Sequence, residues 1–229
     1  MNKETKKYFI ASSKPWHYEN FKKKFNNNNL AWHYVSTENE LTKLLESVTP
    51  RFIFFLHWNW IVSDNICSKY DCVCFHMTDL PYGRGGSPLQ NLILDGKETT
   101  YLSAFKMVKE LDAGPIYTKA KMKLDGRAEE IYLRAGQLSW QIIDWIVKNE
   151  PLPFPQKGKV TEFKRRNETQ SKLPENGSIQ DIYNFIRMLD APTYPYCFIE
   201  HGKFKIELTN AEIIDNKVSG TFKLTSKDN

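Results

Sequence analysis

Short apolar runs alternate with longer polar stretches through the first half of the chain. Tyr8 to Ala11, Leu30 to Val35, Phe52 to His57 and Cys72 to His76 are rich in β-branched and aromatic residues and predict strands. Pro15 to Phe25 and Glu38 to Val48 lie between the first three and have helical character. Such alternation predicts βαβ units around a parallel sheet. The run Arg51 to Leu56 is almost continuously apolar, as expected of a central strand covered on both faces. Asn26 to Asn29 reads as a helix-ending loop. A long helix is predicted over Ala128 to Lys148, where Ile131, Ala135, Leu138, Ile142 and Ile146 recur at helical spacing as a core-facing stripe. Pro151, Pro153 and Pro155 then interrupt regular structure, and a polar, charged stretch follows. A helix from Ser178 to Leu189 and strands over Tyr196 to Leu208 and Val218 to Leu224 complete the pattern. The expected organisation is an α/β domain over residues 1–150 with a mostly parallel sheet and helices on both faces, a linker over 151–177, and a small C-terminal α+β region over 178–229.

Composition narrows the function classes. The 229 residues are 41% hydrophobic and 26% charged, which suits a folded globular chain. The formal net charge of +5 suits an anionic small substrate and does not call for a nucleic-acid partner. The N-terminal apolar run is one short strand rather than a signal peptide. No segment approaches the ~18 apolar residues of a membrane span. Cys67, Cys72 and Cys74 lie too close together for a disulfide framework; with Cys197 they are expected to be reduced thiols of a cytoplasmic protein.

The informative segment runs from Cys72 to Pro88. A predicted strand ends at His76, and a loop with Pro81, Gly83, Gly85 and Gly86 follows at once. In open α/β sheets ligands bind beyond the carboxyl ends of strands, so a histidine there can act as general base or merely cap its own turn. A second segment, Val108 to Ile116, places Asp112 in an Asp-Ala-Gly turn before another strand candidate. By itself that aspartate reads as a turn-former.

Together the two segments resemble the 10-formyltetrahydrofolate-dependent formyltransferase superfamily. The matching residues are His76, Thr78, Leu80, Pro81, Arg84, Gly85 and Pro88, followed by Leu111, Asp112, Ala113, Gly114, Pro115 and Ile116. The resemblance covers residues 50–150 and implies a Rossmann-like fold, with 10-formyltetrahydrofolate as formyl donor. It implies His76 and Asp112 as catalytic residues, and Arg84, Gly85, Gly86, Lys109, Glu110, Leu111 and Gly114 as donor-binding residues. Its wording is most similar to the short sugar N-formyltransferases, in particular the branch acting on UDP-linked 4-amino-4,6-dideoxy hexosamines. One position departs from the family. The asparagine two residues before the histidine is Cys74 here, and a thiol is a weak donor. Asn59, past another strand end, is a candidate replacement.

Within the superfamily, glycinamide ribonucleotide formyltransferases carry a Gly-rich phosphate loop after the first strand, where this chain reads Ala11 to Trp16 without glycine. Methionyl-tRNA formyltransferases carry a longer C-terminal barrel and remain the alternative. The expected acceptor is therefore the free amine of a nucleotide-linked amino sugar. Lys14, Trp58, Trp60, Thr78, Tyr194 and Tyr196 are the candidate substrate-binding residues. Packing or surface roles are open to each. The oligomeric state is not set by the sequence; a homodimer is compatible with it. An alternative of another class is a non-catalytic zinc module using Cys67, Cys72, Cys74 and His76, although Cys-x-Cys on a strand is not the usual ligand spacing. No metal is expected for formyl transfer.

Overall fold

A computed structural model describes residues 5–25, 30–58, 60–192 and 194–227. Asn59 and the Asn26 to Asn29 run lie outside them. The chain forms two compact units. The first comprises Met1–Arg84, Tyr101–Ala120 and Ala135–Thr161; the second comprises Gly85–Thr100, Lys121–Arg134 and Glu162–Asn229.

The first unit opens with β1 (Tyr8–Ala11), α1 (Pro15–Lys24), β2 (Trp32–Val35), α2 (Glu38–Ser47), β3 (Phe52–Phe55), α3 (Asp64–Lys69) and β4 (Cys72–His76). Local chemistry sets the helix ends. Pro15 sits in the first turn of α1, where its missing N–H costs nothing, and Lys22, Lys23 and Lys24 face the negative end of the helix dipole. The Thr37 side chain caps α2 by accepting from the Glu40 N–H at 3.2 Å.

After a two-residue strand β5 (Arg84–Gly85) come α4 (Pro88–Leu94), β6 (Thr99–Lys106), β7 (Ile116–Lys123) and α5 (Ala128–Asn149). The main sheet has the order β2-β1-β3-β4-β6-β7. Its first four strands are parallel, and β6 runs antiparallel to β4, with His76 opposite Ser103. The α/β, Rossmann-like class is thus confirmed, with an antiparallel departure at β6. All of β1 and β3 is buried, as strands covered on both faces must be. Phe9, Ala11, Val35, Leu41, Ile53, Phe55 and Cys72 form a core cluster on one side of this sheet. Each fully buried Phe or Ile contributes about 1.5–3 kcal/mol. Of the stripe expected on α5, Ile131, Ala135, Ile142 and Ile146 are buried and Leu138 is half-buried.

The second unit carries β8 (Glu162–Phe163), a short 3-10 turn (Glu168–Ser171), α6 (Ile179–Arg187) and the strands β9 (Cys197–His201), β10 (Phe204–Ile214) and β11 (Lys217–Ser226). The last three form an antiparallel sheet in the order β11-β10-β9. Ser178 and Asp181 make a reciprocal capping box at the start of α6. Residues 162–171, expected within the linker, carry β8 and the 3-10 turn. Among the described residues no helix is long and apolar enough to cross a membrane. All four cysteines are free thiols.

Candidate active site

His76 is the last residue of β4, and the chain turns sharply beyond it. The Leu80–Pro81 peptide is cis, the Tyr82 N–H donates to the Asp79 carbonyl at 3.0 Å, and Gly83 takes a left-handed φ of 70°. This turn swings the Gly83 carbonyl back over the strand end. The His76 Nε2–H donates to that carbonyl at 2.8 Å, since a carbonyl can only accept. The other ring nitrogen, Nδ1, lies 3.6 Å from Asp112 Oδ2, and both side chains are about nine-tenths buried. The imidazole is thus fixed by a carbonyl at one nitrogen, with a carboxylate within ion-pair reach of the other.

Asp112 arrives there through a strained turn. Its φ is 51°, a left-handed conformation that Asp and Asn adopt more readily than other side chains. Gly114 explains why the turn ends in glycine: a Cβ there would lie 1.6 Å from the Lys106 carbonyl oxygen. Hence the Asp-Ala-Gly sequence both turns the chain and aims a carboxylate at His76.

Thr78, expected among the substrate-binding residues, is fully buried. Its hydroxyl donates to the same Gly83 carbonyl at 3.3 Å, and its own carbonyl accepts from Ser103 Oγ at 2.6 Å. It braces the His76 loop. Cys74 packs beside Leu80, Phe105 and Ile116. Burial, reinforced by the Asp112 carboxylate, pushes its thiol up to about 12, so it stays protonated at neutral pH. This is the environment of a packed strand residue. Asn59, the candidate replacement for the family asparagine, lies outside the described residues.

The donor-binding candidates divide between the units. In the first, Arg84 Nη1 contacts Glu110 Oε1 at 3.0 Å, while its Nε and Nη2 reach Gln156 Oε1 at 3.2 and 2.9 Å. Lys109 is exposed, 3.9 Å from Asp64, and Leu111 is 69% exposed. In the second, Gly85 and Gly86 sit tight against Phe163 and Arg165, and a Cβ at either would fall within 2.5 Å of them. Sequence reasoning missed Gln156 and Thr161, which contact this loop.

Of the substrate candidates in the first unit, Trp58 packs edge-on against Phe55 and Trp60, at 5.7 and 4.8 Å between ring centres. Trp60 is 41% exposed. Lys14 is half-buried, and burial lowers its pKa. In the second unit, Tyr194 Oη is 3.0 Å from Ser87 Oγ; burial raises the Tyr196 pKa. Among the described residues no three His, Cys, Asp or Glu side chains are grouped to hold a metal ion. The residues of the zinc alternative do not converge. The Cys72 thiol donates to the Ile66 carbonyl at 3.8 Å, whereas Cys74 packs against Leu80, Phe105 and Ile116 and His76 faces Gly83 and Asp112.

Residues 168–225 match the family described as methionyl-tRNA formyltransferase, C-terminal domain. A methionyl-tRNA formyltransferase of Thermodesulfovibrio yellowstonii is 25% identical over 181 residues, which is 74% of this chain and 58% of that protein. The chain thus spans less than two thirds of the length of the curated relatives it matches. An N-formyltransferase from Helicobacter canadensis, solved with folinic acid and dTDP-3-aminofucose, shares the fold at a TM-score of 0.64 and 18% identity, covering 96% of this chain and 98% of that one. A structure described as a methionyl-tRNA formyltransferase from Clostridium thermocellum is 37% identical with a TM-score of 0.90, over 96% of this chain and 99% of that one. On that similarity, the chain belongs to the formyltransferase family.

Proposed function

We propose that this chain transfers a formyl group from 10-formyltetrahydrofolate to a primary amine, with a nucleotide-linked amino sugar as the acceptor. The observation that carries formyl transfer is the buried His76–Asp112 pair at 3.6 Å beyond the end of β4. The donor supplies an activated formyl carbonyl. Val108 and Leu111 are exposed apolar side chains on the segment whose Glu110 pairs with Arg84, and they would suit a flat heterocycle.

The chain's own residues then divide the work. Asp112 holds positive charge on His76, and the imidazolium stabilises the negative charge that develops on the carbonyl oxygen under attack. Once the Nε2 proton has passed to the departing nitrogen of the donor, whose bond to the formyl carbon breaks, Nε2 can take the proton that the attacking amine loses as its own bond to that carbon forms. The protonated Cys74 thiol keeps a packing role.

Support for the sugar acceptor comes from the exposed Trp60 edge beside Trp58, a stacking surface for a base or sugar, and from Lys14 past β1. A second reading is favoured by a specific match: the C-terminal segment 168–225 fits the methionyl-tRNA formyltransferase family, which points to methionyl-tRNA as the acceptor. The deciding experiment supplies labelled 10-formyltetrahydrofolate with a panel of UDP- and dTDP-linked amino sugars and with methionyl-tRNA. Transfer to one or more sugars is expected. Transfer to methionyl-tRNA alone would overturn the sugar acceptor, and transfer to none would overturn formyl transfer itself.

A further inference from the structure

Past α5 the chain runs through three prolines, yet it is held in place. Phe154 exchanges two backbone hydrogen bonds with Ile116, at 2.7 and 2.9 Å, beside the start of β7. Two residues later, Gln156 reaches the active site. Its amide nitrogen donates to the Asp112 carbonyl at 2.7 Å and to the Gly114 carbonyl at 2.8 Å. Its amide oxygen accepts from Arg84 Nη2 at 2.9 Å and Nε at 3.2 Å. Two donors and two lone pairs are the full capacity of a primary amide. Farther along, Thr161 Oγ1 accepts from the Gly83 N–H at 2.7 Å, and the Thr161 carbonyl accepts from the Arg84 N–H at 2.9 Å. One strap therefore grips both pieces of backbone that hold His76: the loop bearing the Gly83 carbonyl and the turn bearing Asp112.

We propose that Gln156 is a positioning residue: its amide fixes the Asp112 turn against Arg84 and thereby sets how the Asp112 carboxylate meets His76. This rests on the formyl-transfer reading of the pair. Only one kind of side chain suits the place. The carbonyls of residues 112 and 114 converge on one point and need a donor there, while the Arg84 guanidinium needs an acceptor a bond or two away. Glutamate would set an acceptor against the two carbonyls, and a cation would repel Arg84. Asp112, held at a φ that side chains seldom adopt, depends on such outside support. The 3.6 Å separation from His76 is longer than the ~2.7–2.9 Å of a charge-assisted hydrogen bond, so a small shift of the turn alters the coupling.

The test compares the full-length chain with Gln156→Met, which keeps the shape without the polar atoms, and Gln156→Glu, which keeps the acceptor for Arg84 and loses the donor. Turnover, KM for donor and acceptor, the pH–rate profile and thermal stability are measured. The His76 ring is followed by NMR titration without substrate. Both variants are expected to fold and to lose about 10-fold to 100-fold in kcat, the scale of a small misplacement of catalytic groups, with smaller changes in KM. The His76 titration and the matching limb of the pH profile should move together. Wild-type turnover and titration in Gln156→Glu would overturn the proposal, leaving only an anchor for Arg84. Unchanged His76 titration in both variants, or unfolding of both, would also overturn it. If the wild-type chain formylates no acceptor, formyl transfer fails, while the substrate-free titration still decides the role of Gln156.

Discussion

Two histidine sites in the first unit share a residue type and differ in everything around it. His76, at the end of β4, lies between the Gly83 carbonyl and the Asp112 carboxylate. His57 lies just past β3, and its Nδ1 is 2.9 Å from Nε2 of His17, with the two rings stacked. There each ring faces another imidazole, and the positive charge of Lys14 is close by. Burial, with His57 adding to it, depresses His17 to about 3; burial, with Lys14 adding to it, depresses His57 to about 4. The His17–His57 pair is therefore neutral at physiological pH, whereas His76 faces a carboxylate 3.6 Å away. Burial alone silences an imidazole; burial beside a counter-charge makes one usable for acid–base work.

The sharpest way to break this contrast is to remove His76. His76→Asn should lower turnover by about 10²-fold to 10⁴-fold with ligand binding largely kept. Near-normal turnover in the folded variant would take His76 out of the chemistry. His17→Asn, by contrast, should leave the pH dependence of turnover unchanged.

Next in size is the counter-charge itself. Asn tolerates the left-handed backbone at position 112, so Asp112→Asn should fold with near-normal thermal stability. It should still lose at least about 10²-fold in turnover, because the amide carries no negative charge to hold the imidazolium. Equal activity in this variant would reduce Asp112 to a turn-former.

The neutral pair makes a prediction about stability. The folded values of His17 and His57 lie below the ordinary histidine value of 6.5. Between about pH 6.5 and 3 the unfolded chain binds protons that the native pair refuses, so stability must fall as the pH drops through that window and be insensitive to this pair above it. The expected fall in Tm between pH 7 and 5 is roughly 5–10 °C, followed by circular dichroism. His57→Asn, compatible with the left-handed φ of 47°, should flatten that slope. An identical slope in the variant would remove the pair as its cause.

Cys74 should give the smallest effect. As a packed thiol, Cys74→Ala leaves a small cavity costing about 1 kcal/mol, read as a drop of a few degrees in Tm, with turnover retained. A variant that folds and binds but does not turn over would instead give the thiol a hydrogen-bond donor role in the chemistry.

Much of this was legible in the chain itself. β1, β3 and β4 stand where their apolar runs predict, because burial on both faces demands such runs. The Thr37 and Ser178 caps are likewise local chemistry. The local turns of His76 and Asp112 were readable, but by itself Asp112 reads as a turn-former, and the expected roles of both residues came from the family resemblance of the two segments. Other features carried no such signal. The helix α3 spans only six residues, too few for a periodicity to show, and β6 mixes Thr99, Ser103 and Lys106 into a strand whose antiparallel direction no local pattern encodes. Gln156 lies in a polar stretch that reads as a break, and its partners are 44 residues away at Asp112 and 72 at Arg84. Hydrophobic period and turn chemistry act over a few residues and so are written in the sequence. Which amide meets which carbonyl across such distances depends on where the whole chain closes, and only the tertiary structure decides that.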